Sequence, residues 1–114
     1  MPEVELFELG PSVLDELANV LTPVRMAHVG RQLRRLQEYG RSLGPSYFEK
    51  VKGSKRGLGA FRISADKVEI RILYRQEGDL FVMLLGFPKK GMDIPPHLIA
   101  AAEKRWDRWK ESNP

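Results

Sequence analysis

The sequence contains no cysteine, which excludes disulfides, thiolate nucleophiles and zinc-thiolate sites together. Histidine is scarce: His28 and His97 stand far apart and make no metal site by themselves. Neither a metal nor a cofactor is expected. No apolar run approaches the roughly 18 residues of a membrane span, and the first residues lack the basic-then-apolar order of a secretion signal. A cytoplasmic protein with no membrane partner is therefore the expectation. Basic residues are missing from the first 24 positions, which hold five acids.

Charge of the other sign follows at once. Residues 25–62 carry ten bases against Glu38 and Glu49, whereas residues 63–114 are nearly balanced with nine bases and eight acids. A basic middle in a small domain points to a polyanion as partner, with a solvated helix face as the plain alternative. With 114 residues, 42% hydrophobic and 30% charged, the chain is long enough for one core and too short for two. Residues 1–114 are expected to form a single domain.

The pattern of apolar residues assigns elements. Val4–Leu9 (VELFEL) is apolar and β-capable, and Gly10-Pro11-Ser12 is a turn and helix-start signal. Leu14, Leu17, Ala18 and Leu21 then fall at helical spacing. Thr22-Pro23 supplies an N-cap and an N1 proline for a second helix, whose stripe is Met26, Val29, Leu33 and Leu36 and which ends near Gly40 to Gly44. The short connection predicts a helical hairpin.

The second half alternates as strands. Two two-residue hairpin loops, at Ala65-Asp66 and Glu77-Gly78, place residue 63 opposite 68 and residue 74 opposite 81. One face then collects Phe61, Ile63, Val68, Ile70, Ile72, Tyr74, Phe81, Met83, Leu85 and Phe87, all apolar or aromatic. The other carries Arg62, Glu69, Arg71 and Arg75 beside Leu73, Leu80, Val82 and Leu84, with Arg62 paired to Glu69. So aliphatic a second face needs a cover. The last helix provides it through Ile99, Ala102, Trp106 and Trp109. The predicted fold class is α+β: an N-terminal helical hairpin on a small twisted antiparallel sheet, closed by a C-terminal helix.

The segments FRI (Phe61–Ile63), RILY (Arg71–Tyr74), LLGFPKK (Leu84–Lys90) and AAEKRWDRW (Ala101–Trp109) resemble the phage-related HigB-like toxins of the RelE/ParE superfamily over about residues 25–110. The resemblance implies the toxin of a type II toxin–antitoxin pair. Its expected activity is that of an mRNA endonuclease acting at the ribosome, neutralised by a helix-turn-helix antitoxin. A non-catalytic or ParE-like member that inhibits a protein target such as DNA gyrase is the alternative. Carried over residue by residue, Arg62, Arg71, Lys89 and Lys90 occupy the basic positions of the family's site. Ala60 stands where many relatives have a carboxylate, and Leu85 where many have a histidine.

RNA cleavage by the 2′-hydroxyl needs a proton acceptor, stabilisation of charge on the phosphate, and a donor to the leaving 5′-oxygen. In a chain without cysteine or a well-placed histidine, lysines and arginines are the candidates, with Tyr74 assigned to packing. Lys89 and Lys90 have a second reading as charges that blunt a sheet edge. The glycine-rich loop Val51–Gly59 carries Lys52, Lys55 and Arg56, and the second helix carries Arg34 and Arg35. These five are candidates for RNA-phosphate contacts rather than chemistry.

Overall fold

The computed structural model describes residues 2–7 and 12–114. Its elements are β1 (Glu3–Leu6), α1 (Val13–Ala18), α2 (Pro23–Tyr39), β2 (Phe48–Lys50), β3 (Gly59–Ala65), β4 (Val68–Glu77), β5 (Leu80–Pro88) and α3 (Pro96–Ser112). Two 3-10 turns, Gly40–Leu43 and Pro45–Tyr47, join α2 to β2. Helix starts follow the expected chemistry: Ser12 accepts from the Asp15 N–H at 3.2 Å and Thr22 from the Arg25 N–H at 3.3 Å. Gly10 and Pro11 of the first turn signal, and Glu8 and Leu9 of the first apolar run, lie outside the described residues.

The strands make one five-stranded sheet in the order β1-β5-β4-β3-β2. β2 to β5 pair antiparallel, but β1 lies parallel to β5, with Val4 opposite Phe81 and Leu6 opposite Met83. The α+β class stands, and the purely antiparallel sheet is corrected to a mixed one. Hairpin rules connect only neighbouring runs. They say nothing of a strand whose partner is far along the chain.

The helical hairpin is corrected too. α1 has only six residues and rests mainly on β5, while α2 spans from β3 to β1. The seat of α1 is Gly86: a Cβ there would lie 2.9 Å from the Leu17 side chain, so only glycine admits the helix so closely. Val13 and Leu17 of α1 and Val29, Leu33 and Leu36 of α2 are buried. They cover the face that carries Phe61, Ile63, Ile70, Ile72, Phe81 and Met83, all buried.

α3 covers the opposite face, as its stripe predicts. Ile99, Ala102 and Trp106 are buried there with Leu73, Val82 and Leu85, and Trp109 stacks on Trp106 at 5.2 Å between centroids. One more side chain ties the layers together. Arg105 of α3 donates to both carboxylate oxygens of Glu16 on α1, at 2.6 and 2.7 Å, and to the Leu84 carbonyl at 2.8 Å.

Both hairpins keep two-residue loops but in shifted register. Ala65 faces Val68 across Asp66-Lys67, both at positive φ, and Glu77 faces Leu80 across Gly78-Asp79, with Gly78 at φ 56°. Each loop sits one residue later than predicted. Pairing therefore shifts by two residues and leaves the faces of β3 and β4 unchanged.

Candidate functional site

β4 and β5 do not stay in step. Tyr74 faces Met83 but Leu73 faces Leu85, so one extra residue, Leu84, sits in β5 as a bulge. A one-residue slip turns every later side chain to the other face. Leu85 and Phe87, expected on the Phe61–Tyr74 face, therefore lie on the face of Leu73 and Arg71, with Phe87 directly opposite Arg71. The same slip carries Lys89 to that face. One residue past the strand, its N–H donates to the Glu69 carbonyl at 2.8 Å.

On this face Arg62 stands directly opposite Arg71, not opposite Glu69, which pairs with Ser64. Like charges facing each other across strands are unfavourable. Two carboxylates offset them. Arg71 is only 2% exposed and donates Nε to Glu49 at 3.1 Å, Nη1 to Glu69 at 3.4 Å and Nη1 to its neighbour's carbonyl, Ile70 O, at 3.0 Å. Glu49 stands on β2 opposite Ala60. The Ser64 hydroxyl donates to Glu69. That bond, opposed by partial burial and reinforced by Arg71, holds the Glu69 carboxyl below the usual carboxylate range.

Arg62 is exposed and makes no ion pair among the described residues. It lines a cleft of about 330 Å³ with Gln32, Ser46, Tyr47, Ser64 and Glu69, at the stretch of β3 that runs past the end of β2. Lys89 is half-buried and Lys90 exposed. The structure thus gathers Arg62, Arg71 and Lys89 with Glu69, Glu49 and Ser64. Lys90 follows them at the rim.

The expected RNA-contact residues divide. Lys52 lines a second cleft, of about 270 Å³, with Glu49 and Met92–Ile94, beside the carboxylate that holds Arg71. The loop around Lys55 and Arg56 is not free to wrap. Glu103 of α3 accepts from the Lys55 N–H at 2.6 Å, the Arg56 N–H at 3.1 Å and the Ser54 hydroxyl at 3.1 Å, and Arg56 forms a two-point pair with Asp107. Arg35 donates to the Tyr47 hydroxyl at 3.4 Å on the wall of the first cleft. Arg34 points the other way, into a groove with Val4, Leu6 and Leu33.

Tyr74 is buried in the aromatic cluster of Phe48 and Phe81, and that burial raises its phenol above the ordinary value. His97 is exposed, and His28 meets Arg31 at 3.0 Å on the surface of α2. Sequence reasoning missed Glu49 and Ser64 as partners of the basic groups, because both depend on pairing across β2–β3–β4.

The model of the family described as "Phage derived protein Gp49-like (DUF891)" matches residues 15–107. That span takes in the whole sheet except β1, most of α3, and all the gathered residues. Comparisons with curated proteins and with solved structures return no match.

Proposed function

The chain belongs to the Gp49-like phage-derived family, a family of RelE/ParE-like toxins, and on that premise we propose that it is the toxin of a type II toxin–antitoxin pair and cleaves mRNA on the ribosome. The observation that carries this reading is the bulge at Leu84, which brings Lys89 onto the face where Arg62 opposes Arg71. A sheet that needed only stability would avoid two arginines face to face. A phosphodiester bridging Arg62 and Lys89 gives those charges a counterpart.

Arg62 and Lys89 bind the scissile phosphate and take up the charge that grows on its oxygens as the 2′-oxygen attacks phosphorus, and the 5′-oxygen leaves with a proton from the Lys89 ammonium. Arg71, fixed by Glu49 and Glu69, positions the carboxylates and lends a fixed positive field. Glu69 accepts the 2′-hydroxyl proton. Held below the usual range it is a weak base, so most of the rate must come from alignment of the strand, which the ribosome supplies. Lys90 and Lys52 extend the phosphate-binding rim.

Induced expression followed by mapping of cellular mRNA ends tests the reading. Cuts inside translated regions, lost in Arg62→Ala and Lys89→Ala, are expected, with poor cleavage of naked RNA. The burial of Arg71 between two carboxylates favours a second reading, a non-catalytic member that inhibits a protein such as DNA gyrase. Intact mRNA with DNA breaks after induction would select it.

A further inference from the structure

We propose that the outer edge of β1 is a docking site for one extended strand of a partner protein in which apolar and basic residues alternate. β1 closes the sheet on one side, and among the described residues no strand pairs with its outer edge. Its amides are sorted between the two edges. Glu3 N–H bonds to Asp79 and Phe7 N–H to Met83, so Glu3 and Phe7 face β5. Strand alternation turns the N–H groups of Val4 and Leu6 outward.

Grooves on both sides of the sheet would receive such a strand's side chains. Toward α2, a groove of about 240 Å³ is lined by Val4, Leu6, Leu14 and Leu33, with Arg34 on its wall. Toward α3, one of about 680 Å³ runs along Glu5, Phe7 and Trp109, where the indole N–H donates to Glu5 at 2.7 Å. A strand added at the edge sends successive side chains to opposite faces. One set enters the apolar groove, and the other meets Glu3 and Glu5, both exposed.

Charge selects the occupant. Arg108 lines the α3 groove beside Glu5, yet neither Glu3 nor Glu5 makes an ion pair among the described residues, so two exposed acids stand against one cation on that side. A second copy is disfavoured, because antiparallel pairing of two β1 edges would set Glu3 and Glu5 against their own counterparts. Lysine, the usual guard of a free edge, is absent from β1. The proposal is independent of RNA cleavage: it concerns a different sheet edge and is tested without activity.

Isothermal titration of the full chain with a capped heptapeptide alternating arginine and valine, coupled to amide exchange by NMR, tests it. Saturable binding is expected, with slowed exchange at Val4 and Leu6. A peptide of the same composition with its arginines in one block, one with proline at its centre, and the Glu3→Lys, Glu5→Lys chain should each bind at least about tenfold more weakly. The peptide variants leave the protein untouched, so a folding defect in the chain variant cannot mimic the result. No saturable binding, binding without protection of Val4 and Leu6, or equal affinity for the block peptide would overturn the proposal. So would a dimer in sedimentation whose interface protects the same amides.

Discussion

Arg71 carries a charge into a place with almost no water, and an interior tolerates that only while carboxylates face it. Arg71→Met strands Glu49 and Glu69 and should cost about 2–4 kcal/mol in urea unfolding, less than a fully enclosed pair because both acids reach solvent. Lys89→Ala breaks no ion pair among the described residues and should stay within about 0.5 kcal/mol of the parent, while abolishing mRNA cleavage if the chain acts as proposed. The two variants thus separate a scaffold charge from a ligand-facing one. Ser64→Ala tests the third member. It removes the main cause of the lowered Glu69 pKa, so the carboxyl should titrate closer to the ordinary range in a carbon-detected NMR titration. The sign follows. A depressed carboxylate contributes stability above its unfolded pKa of about 4.3 and loses it as pH falls through the folded value. The serine variant should therefore lose that acid-side contribution at higher pH than the parent. The basic residues proposed for the site were named from the residues themselves and from their likeness to a toxin family. Glu49 and Ser64 were not: placing each loop one residue early paired Arg62 with Glu69 and hid Ser64, and the three residues of β2 gave no sign that Glu49 would reach Arg71.

At the scale of elements, legibility follows distance along the chain. α2, α3 and the two hairpins were visible because their signals are local: a threonine cap with its proline, a tryptophan stripe, alternating runs around short turns. β1 and β2 were harder, one for its parallel partner far along the sequence, the other for its three residues. The bulge at Leu84 left no mark in an all-apolar run where either face suits a leucine. Its consequence is large. Deleting Leu84 would leave Leu85 next to Met83 and still opposite Leu73, with Phe87 and Lys89 still on the face of Arg71. One residue inserted after Leu85 would instead turn both away, so the insertion should lose stability and cleavage where Lys89→Ala loses cleavage alone. α3 holds two things in place. Trp106→Ala should destabilise by about 3–5 kcal/mol, as loss of a buried aromatic does. Glu103→Ala frees the Lys55 and Arg56 amides, which should exchange faster by NMR with a cost of about 1–2 kcal/mol.

Over the whole molecule, charge is divided by position in the fold rather than spread evenly. The acidic start of the chain builds β1 and α1 at one side of the sheet. Arg62, Lys89 and Lys90 lie where β3 outruns β2 and the β5–α3 link begins, and Lys52 lines a separate cleft with Met92–Ile94 of that link. Arg34 belongs to the β1 side, and Arg56 already has Asp107. The ten bases of residues 25–62 therefore do not act as one patch. If RNA binds at the Arg62–Lys89 end, affinity should fall with salt according to the phosphates contacted there, at about 0.7 in log–log slope per contact for a single strand. Lys52→Ala with Lys90→Ala should lower that slope by about 1.4 if each meets one phosphate, and leave the positions of cuts unchanged, because a point charge on a phosphate carries no base information. Arg34→Ala should leave both slope and affinity where they were. Fluorescence-anisotropy titrations of a labelled RNA across a salt series, set beside cleavage-site maps of the same variants, check both expectations. A slope that responds to Arg34 and not to Lys52 and Lys90 would move the RNA to the β1 side of the molecule. The face of Arg71 would then be left to a protein.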